Sequence, residues 1–318
     1  MVDSVVLCMT LASLASGPGP SKSHLKTSEG AFATVNGAKL WYHVEGNGMP
    51  LIIVPGGPGL SHKYLFPHFS ALKDSHRVVY FDAFGRGRSD RAKKSQEYTI
   101  ARDVEDVEGL RKALKMKKVR LLGFSYGGMV AQAYALKYPE ALDRLVLVGS
   151  PHSAEMWAAA NDDYNRLVAN LYPEVWKQAQ AWRRKGGVTS DPEYQKFFEK
   201  VHPGLFYHFD PKVAEDKAYG EALADLNFDV YRSLCGKDGD VVLGGDIRQF
   251  DRRRELHKIM APTLVVAGRF DKGCPPRWMV KYKEYMPKAQ FEMFERSGHF
   301  PQIEEPERFF STLRTFLK

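Results

Sequence analysis

Short apolar runs recur along the first half of the chain, and each one ends at a glycine, a proline or a polar turn. Alternating apolar and polar residues on both sides of Asn36-Gly37 predict a β-hairpin from residues 31–36 and 39–45. Continuous apolar runs predict four further strands, at residues 51–54, 77–81, 119–122 and 144–149. Between them, residues 103–114 carry apolar side chains at helical spacing, and residues 129–136 are rich in Ala, Met, Val and Leu, which indicates two helices.

The pattern changes after Pro151. Until about Arg254 there is no strong strand run, and the segment is helix-like and rich in Trp and Tyr. Strands are predicted again at residues 263–268 and 290–294, with helices at 278–285 and 307–317. Strands that alternate with helices indicate an α/β fold, with a mostly parallel central sheet and helices on both faces. We therefore expect a core from residues 31–150 and 255–318, an inserted helical cap at residues 151–254, and a flexible lead-in over residues 1–30.

The composition is ordinary for a globular protein and narrows the possible partners. Of the 318 residues, 44% are hydrophobic and 26% are charged, and the net charge is +8. The basic residues are scattered, without zinc-ligand spacing or a basic helix with interleaved aromatic residues, so we expect no nucleic-acid partner. No apolar run is long enough to span a bilayer. Since no cluster of metal ligands is visible, we expect neither a metal nor another cofactor.

The three cysteines, Cys8, Cys235 and Cys274, lie far apart and form no C-x-x-C pair. We expect free thiols, which fit a reducing compartment and therefore a cytoplasmic location. The alternative is export, because an apolar stretch followed by small residues lies within residues 1–16, as in a cleaved signal. Against export, the segment "MVDS" before that stretch carries an acid and no Lys or Arg.

The candidate chemistry begins in the stretch "LLGFSYGGMV", where Ser125 stands between a predicted strand and a predicted helix. Gly123 to Gly127 match G-x-S-x-G, the nucleophile elbow, in which a sharp turn presents the serine hydroxyl above the sheet. The same turn leaves the Tyr126 N–H without an intrahelical partner, because it lies at a helix N-terminus. Ser125 is therefore the candidate nucleophile, and the Tyr126 N–H is a candidate donor to an oxyanion.

A reactive serine needs a general base within hydrogen-bond reach, and the base needs a group that fixes its tautomer. His299 follows a predicted strand and a Ser297-Gly298 turn, which places it at the carboxyl edge of the sheet, where Ser125 emerges. Asp271, in "RFDKGCPP", follows another predicted strand and gives the chain order Ser, Asp, His. We expect Ser125, Asp271 and His299 to form a catalytic triad.

A second oxyanion donor is expected in the loop "PGGPGLS", which follows the predicted strand 51–54. Glycines there let the backbone approach a substrate closely. We choose Gly57, although the sequence alone leaves open whether Gly56 or Gly57 donates.

Five segments together resemble the proline iminopeptidase branch of the α/β-hydrolase superfamily: "PGGPGLSHKYL", "DAFGRGRSD", "GFSYGGMVAQAYALKYPE", "PTLVVAGRFDKGCPP" and "SGHFPQIEEPERF". The resemblance covers most of residues 31–318 apart from the cap. It implies an α/β-hydrolase fold with a helical cap and a serine hydrolase that works without a metal. Such enzymes release N-terminal residues, often proline, from small peptides through an acyl-enzyme. The family's Ser, Asp and His map onto Ser125, Asp271 and His299.

The chain departs from that family at three positions. Pro55 stands where His usually precedes GGPG, Tyr126 stands where Trp is common, and Lys272 follows the candidate acid where some members have a carboxylate. Carboxylates in the family hold the free amine of the substrate. The cap acids that could take this role here are Glu174, Asp225 and Asp229.

Two alternatives to the aminopeptidase stay open. One is a capped carboxylesterase or lactonase with the same triad, and the other is a non-catalytic binding protein with the same fold. For the aminopeptidase and for the esterase or lactonase, the expected partner is a small molecule or a short peptide. The sequence does not indicate the oligomeric state.

Overall fold

A single eight-stranded sheet organises the chain in a computed structural model, which describes residues 30–198, 201 and 217–318. The strands are β1 (Ala31–Val35), β2 (Ala38–Glu45), β3 (Met49–Val54), β4 (His76–Phe81), β5 (Val119–Phe124), β6 (Leu142–Val148), β7 (Thr263–Gly268) and β8 (Gln290–Phe294). Their order in the sheet is β1-β2-β4-β3-β5-β6-β7-β8. Strands β3 to β8 run parallel, and β2 is antiparallel to both of its neighbours. The mostly parallel sheet predicted from the sequence is confirmed.

Helices cover the sheet and fill the described parts of the long connection between β6 and β7. Those before this connection are α1 (Phe66–Phe69), α2 (Ile100–Ala113) and α3 (Tyr126–Lys137). Those within it are α4 (Ala154–Leu171), α5 (Pro173–Arg184), α6 (Pro192–Phe198), α7 (Lys217–Ala224) and α8 (Phe228–Cys235). Those after β7 are α9 (Pro276–Met279), α10 (Tyr282–Tyr285), α11 (Pro301–Glu304) and α12 (Pro306–Phe316).

The continuous apolar strands are explained by a hydrophobic core on each face of the sheet. Since successive side chains of a strand point to opposite faces, alternate residues enter different cores. In β4, Val79 and Phe81 pack in the cluster that contains α2 and α3 residues. Val78 and Tyr80 pack in the other cluster, together with residues of α12. Burial of both faces is typical of parallel strands and removes the polar alternation expected of half-exposed ones.

The helical connection has a small core of its own, formed by Val168, Ala179, Tyr194 and Val201. Where the connection leaves and rejoins the sheet, its two ends are tied together by backbone hydrogen bonds. The Ala154 N–H donates to the Phe250 oxygen at 2.7 Å, and the Arg252 N–H donates to the His152 oxygen at 3.1 Å. The separate core and the hydrogen bonds that join the two ends of the connection support a cap domain. We propose the boundaries 151–254 for it.

The predicted helix at residues 278–285 is divided in the structure. Helix α9 ends at Met279 and α10 begins at Tyr282. The N–H groups of Lys281 and Lys283 donate to oxygens three residues earlier, at 3.1 Å each, so the chain tightens into 3₁₀-type turns at this point. Met279 and Tyr282 are both buried, and this three-residue spacing keeps the two side chains on the core side.

The sequence also predicts a flexible N-terminal lead-in and no membrane-spanning segment. Residues 1–29, with Cys8 and most of the predicted lead-in, lie outside the described residues, as does any signal within residues 1–16. Among the described helices, none is long and apolar enough to cross a membrane.

The predicted hairpin between β1 and β2 offers a test of backbone geometry. Asn36 and Gly37 have φ of 49° and 80°, as a two-residue hairpin turn of the primed type requires. A Cβ added to Gly37 would meet no atom within 4 Å, so a side chain there costs only backbone strain. We expect Gly37→Ala to lower the free energy of unfolding by about 1–2 kcal/mol in urea titrations.

Gly220→Ala is the matched control, because Gly220 lies in α7 and a Cβ there also meets no atom within 4 Å. Alanine should raise the helix stability by up to about 1 kcal/mol. Equal stability of Gly37→Ala and the wild type would contradict the turn geometry.

Candidate active site

Ser125 occupies a strained turn between β5 and α3. Its φ of 51° and ψ of −121° lie in a region that non-glycine residues rarely adopt. The Ser125 N–H donates to the Val148 oxygen of β6 at 2.8 Å, which ties the turn to the neighbouring strand. The helix packs closely behind it, since a Cβ on Gly127 would lie 2.1 Å from the Val54 oxygen. The turn therefore holds one partly exposed hydroxyl at the carboxyl edge of the sheet.

His299 and Asp271 are joined at the same edge of the sheet. The His299 Nδ1 lies 3.0 Å and 2.9 Å from the two Asp271 carboxylate oxygens, and both residues are buried. The carboxylate is itself held in place, because its Oδ1 accepts the Cys274 N–H at 2.8 Å. With Nδ1 engaged in this way, Nε2 is the ring nitrogen that can accept a proton.

Ser125 and His299 line one cavity of about 190 Å³, here called the serine cavity. Its apolar walls include Leu60, Phe124, Trp157 and Phe300. In the described part of the chain, the Ser125 hydroxyl makes no hydrogen bond to His299. Such bonds are often long before substrate binds and tighten in the complex. The structure therefore brings the predicted nucleophile and base into one cavity, with the predicted acid behind the base.

The glycine loop borders the serine cavity through Gly57. The Gly56 N–H donates to the Tyr64 hydroxyl at 2.6 Å and is not available to a ligand. Within the described residues, the Gly57 N–H has no such partner. Tyr126 is the first residue of α3, so its N–H also points out of the helix without an intrahelical acceptor. Two N–H groups are thus left beside Ser125.

A buried network fixes the side chain of Tyr126, and sequence analysis did not reveal it. The Tyr126 hydroxyl donates to Asp103 at 2.6 Å, and Asp103 accepts two hydrogen bonds of 2.6 Å from the Arg86 guanidinium. Burial, together with the negative charge of Asp103, raises the pKa of Tyr126 well above its usual value, so the phenol stays protonated and donates. The network anchors the start of α3, and with it the Tyr126 N–H, to α2.

Among the described residues, Asp240 of the cap is the carboxylate that lines the serine cavity. It accepts hydrogen bonds from the Tyr231 hydroxyl and, at 3.3 Å, from Gln195. No described Lys, Arg or His lies within ion-pair distance of it. Burial raises the pKa of this carboxyl above its usual value, and the hydrogen bonds from Tyr231 and Gln195 oppose that shift only in part. The site therefore contains a half-buried acid without a cationic partner among the described residues.

The sequence-based candidates for an amine-binding acid lie elsewhere. The side chains of Glu174 and Asp229 are 79% and 68% exposed, and Asp225 pairs with Lys63 at 3.1 Å. None of the three is among the described residues that line the serine cavity. The sequence contained one signal for Asp240: it lies in "GKDGDVVLGG", a glycine-rich loop with two acids, near the end of the cap.

A second cavity of about 150 Å³ adjoins the first, and the two share Asn161, Asp240 and Gly273 as walls. Lys272 lines only the second cavity, whose walls combine polar residues with four aromatic ones: Tyr164, Tyr194, Phe228 and Tyr231. The two cavities therefore lie side by side, with Asp240 as a wall of both.

Asp271, Cys274 and His299 are also the described side chains whose arrangement could suit a metal, since their ligand atoms lie within 4.8 Å of one another. A cysteine binds metal as a thiolate. Here burial and the nearby Asp271 raise the pKa of Cys274 well above its usual value, and its thiol donates to the Gly149 oxygen at 2.9 Å. We therefore interpret the cluster as support for His299.

A second His–Asp pair lies outside the walls of the serine cavity. The His62 Nδ1 is 2.8 Å from Asp82, and its ring stacks on Trp41 with centroids 4.1 Å apart. The same carboxylate accepts the Arg88 N–H at 3.0 Å. These contacts give His62 a packing role and Asp82 a role in shaping the turn after β4.

Comparisons with known proteins agree with this architecture. The sequence model of a family described as alpha/beta hydrolase fold matches residues 49–306. A proline iminopeptidase of Heyndrickxia coagulans is 31% identical over 274 residues, which are 86% of this chain and 91% of that protein. A proline iminopeptidase of Saccharolobus solfataricus is 31% identical over 281 residues, 87% of each chain. The crystal structure of VinJ superposes with a TM-score of 0.79 and 25% identity, and the match covers 91% of this chain and 98% of that one. The chain therefore belongs to the α/β-hydrolase fold family and, within it, to the proline iminopeptidase branch.

Proposed function

We propose that this serine hydrolase is an aminopeptidase of the proline iminopeptidase type, which releases an N-terminal residue from short peptides or amides. The observation that carries the proposal is Asp240, a carboxylate without a described cationic partner in the cavity that holds Ser125 and His299. An ester without an amine has no use for such a charge, whereas the free ammonium of an N-terminal residue needs one.

The proposed reaction proceeds through an acyl-enzyme. The His299 Nε2 takes the proton of the Ser125 hydroxyl as the oxygen attacks the scissile carbonyl, and it then gives that proton to the leaving amine. Asp271 holds the tautomer and stabilises the imidazolium. Water, activated by the same histidine, then cleaves the acyl ester and restores Ser125.

Negative charge develops on the carbonyl oxygen in the transition state. We propose that two backbone N–H groups stabilise this charge. Gly57 and Tyr126 are the donors of choice, because both N–H groups border Ser125 and neither has another described partner. The commitment of the Gly56 N–H to Tyr64 supports the choice of Gly57 over its neighbour. The Asp103 network supports Tyr126, since it keeps the start of α3 in place.

The amine is proposed to bind Asp240. An ammonium on the carbon next to the scissile carbonyl lies within a few ångströms of Ser125, so its partner must line the same cavity. Burying a cation without a partner costs several kcal/mol, and the carboxylate offsets that cost. The ammonium in turn favours the charged form of Asp240, whose pKa is raised by burial in the free protein.

The second candidate function is a capped esterase or lactonase with the same triad. Lys272 favours it, because this lysine places positive charge beside the site where some relatives have an acid. The non-catalytic alternative is disfavoured, because a binding protein has no need for a nucleophile, a base, an acid and an oxyanion loop together.

The proposed substrates are small, since the two cavities together fit one or two residues rather than a folded protein. A cytoplasmic location is proposed as well. It is supported by Cys235 and Cys274, which are both buried and unpaired, as expected in a reducing compartment.

Fluorophosphonate labelling tests the nucleophile. We expect the wild type to be labelled at Ser125, because an activated serine attacks such phosphorus centres. Ser125→Ala should lose both labelling and turnover, and the exposed Ser75→Ala should keep both. Persistent labelling of Ser125→Ala, read by mass spectrometry, would rule out Ser125 as the nucleophile.

Asp271→Asn tests the acid. The variant should fold but lose about 10⁴-fold in kcat, as a triad does when its acid loses its charge and the histidine takes the wrong tautomer. Circular dichroism checks the fold, and steady-state kinetics measures kcat. Asp74→Asn is the control, because Asp74 is exposed. Near-normal turnover by a folded Asp271→Asn enzyme would point to a different acid.

Blocking the substrate amine tests the role of Asp240. We expect prolyl amide to be cleaved about 100-fold better than its N-acetylated form, as judged by kcat/KM, because a charged hydrogen bond is worth about 1.5–3 kcal/mol. Asp240→Asn should raise KM for the free amine by a similar factor and leave that of an amine-free ester unchanged. Equal turnover of blocked and free substrates, or turnover of esters alone, would refute the aminopeptidase.

The pH dependence gives a second readout of the same residue. Amine binding needs the ionised carboxylate, and burial raises the pKa of Asp240. As the pH falls through that raised pKa, the KM for free-amine substrates should increase. This increase should begin at a higher pH than it would if Asp240 had the pKa of an ordinary aspartate. The KM for an amine-free ester should show no such increase, and Asp240→Asn should abolish it for amines.

A further inference from the structure

The second cavity carries a charge that the proposed reaction does not use. Lys272 lines this cavity and is half-buried. Within the described residues it has no ion-pair partner. The carboxylate next to it in the chain, Asp271, is occupied by His299 and by the Cys274 N–H. Asp240 lines the same cavity but is not within ion-pair distance of the lysine.

The walls of the two adjacent cavities set the order of the charges. Asp240 borders both cavities, whereas Lys272 borders only the second one. A substrate whose ammonium lies at Asp240 and whose carbonyl lies at Ser125 therefore has the second cavity beyond its amine. A group that enters the second cavity meets the Lys272 ammonium and a wall that includes four aromatic side chains.

The half-buried ammonium of Lys272, which has no described carboxylate partner, is suited to bind an anionic group of a ligand. Partial removal from water strengthens its attraction to an anion, since the effective dielectric constant is lower than at an open surface. Asp240 and Lys272 have opposite signs and neither has a described ion-pair partner, so they match a ligand that carries both an ammonium and a carboxylate. The aromatic side chains that line the second cavity suit the carbon atoms that connect the two groups.

On the basis of the proposed function, we propose that Lys272 binds a carboxylate of the substrate in the second cavity, so that the enzyme prefers substrates with both a free amine and an acidic group. The carboxylate has two possible sources. It belongs either to the side chain of the N-terminal residue, as in a glutamyl amide, or to the leaving group, as in a dipeptide with a free C-terminus. The position of the cavity beyond the amine favours the side chain.

Two pairs of substrates distinguish these sources, with the full-length protein in each assay. Glutamyl anilide against glutaminyl anilide tests the side chain, and prolyl-glycine against prolyl-glycinamide tests the leaving group. We expect the acidic member of at least one pair to have a kcat/KM about tenfold higher, which corresponds to about 1.4 kcal/mol. Lys272→Gln should reduce that ratio to near one.

Lys288→Gln is the matched control, because it removes the same charge from an exposed position away from both cavities. It should keep the wild-type ratio. A wild type without an acidic preference in either pair, or a Lys272→Gln enzyme that keeps the preference, would overturn the proposal.

Failure of the aminopeptidase proposal is separable from failure of this one. If no amine substrate is cleaved, the same ratio is measured with the p-nitrophenyl monoester of glutaric acid against p-nitrophenyl butyrate. A preference for the acidic ester that disappears in Lys272→Gln supports the carboxylate site even then, and its absence refutes the site.

Discussion

The backbone of Ser125 is the constraint around which the site is built. Its φ of 51° costs on the order of 1–3 kcal/mol, which the surrounding structure must offset. The hydrogen bond from the Ser125 N–H to Val148 and the close approach of Gly127 to Val54 hold the turn against strands on both sides. Because β3, β5, β7 and β8 run parallel in one sheet, the loops that follow them lie at the same edge and bring Gly57, Asp271 and His299 toward one serine.

Much of this arrangement could be predicted from the sequence, because its signals are local. Strands β7 and β8 were predicted with the bounds that the structure shows, since β7 is a nearly continuous apolar run, β8 alternates polar and apolar residues, and both are followed by turn residues. The turn at Ser125 could be predicted because its signal, a G-x-S-x-G pattern between a strand and a helix, is also local. Asp240 was not predicted, because only the fold brings the glycine-rich loop that carries it to the cavity of Ser125. The division between α9 and α10 depends on core packing, which helical spacing alone does not report.

The charges in the two cavities explain what the cap contributes. The sheet edge supplies the proposed nucleophile, base and acid, but these groups alone do not distinguish an amide from an ester. Asp240 comes from the cap and Lys272 from the loop after β7, and each lacks a described partner of opposite sign. Partly buried charges without an ion-pair partner reduce stability, and we propose that these two are kept because a ligand pairs with them. In this proposal, specificity depends on the cap as well as on the sheet edge.

The central claim is that Ser125 forms an acyl-enzyme with an N-terminal residue whose amine is free. Rapid acid quenching of the enzyme during turnover of a prolyl aryl ester, followed by mass spectrometry of the peptides, tests it most directly. We predict a mass increase of one prolyl group on the peptide that contains Ser125, and a much smaller fraction of adduct when the amine is acetylated. An adduct on a different residue, or equal labelling by free and acetylated substrates, would contradict the account.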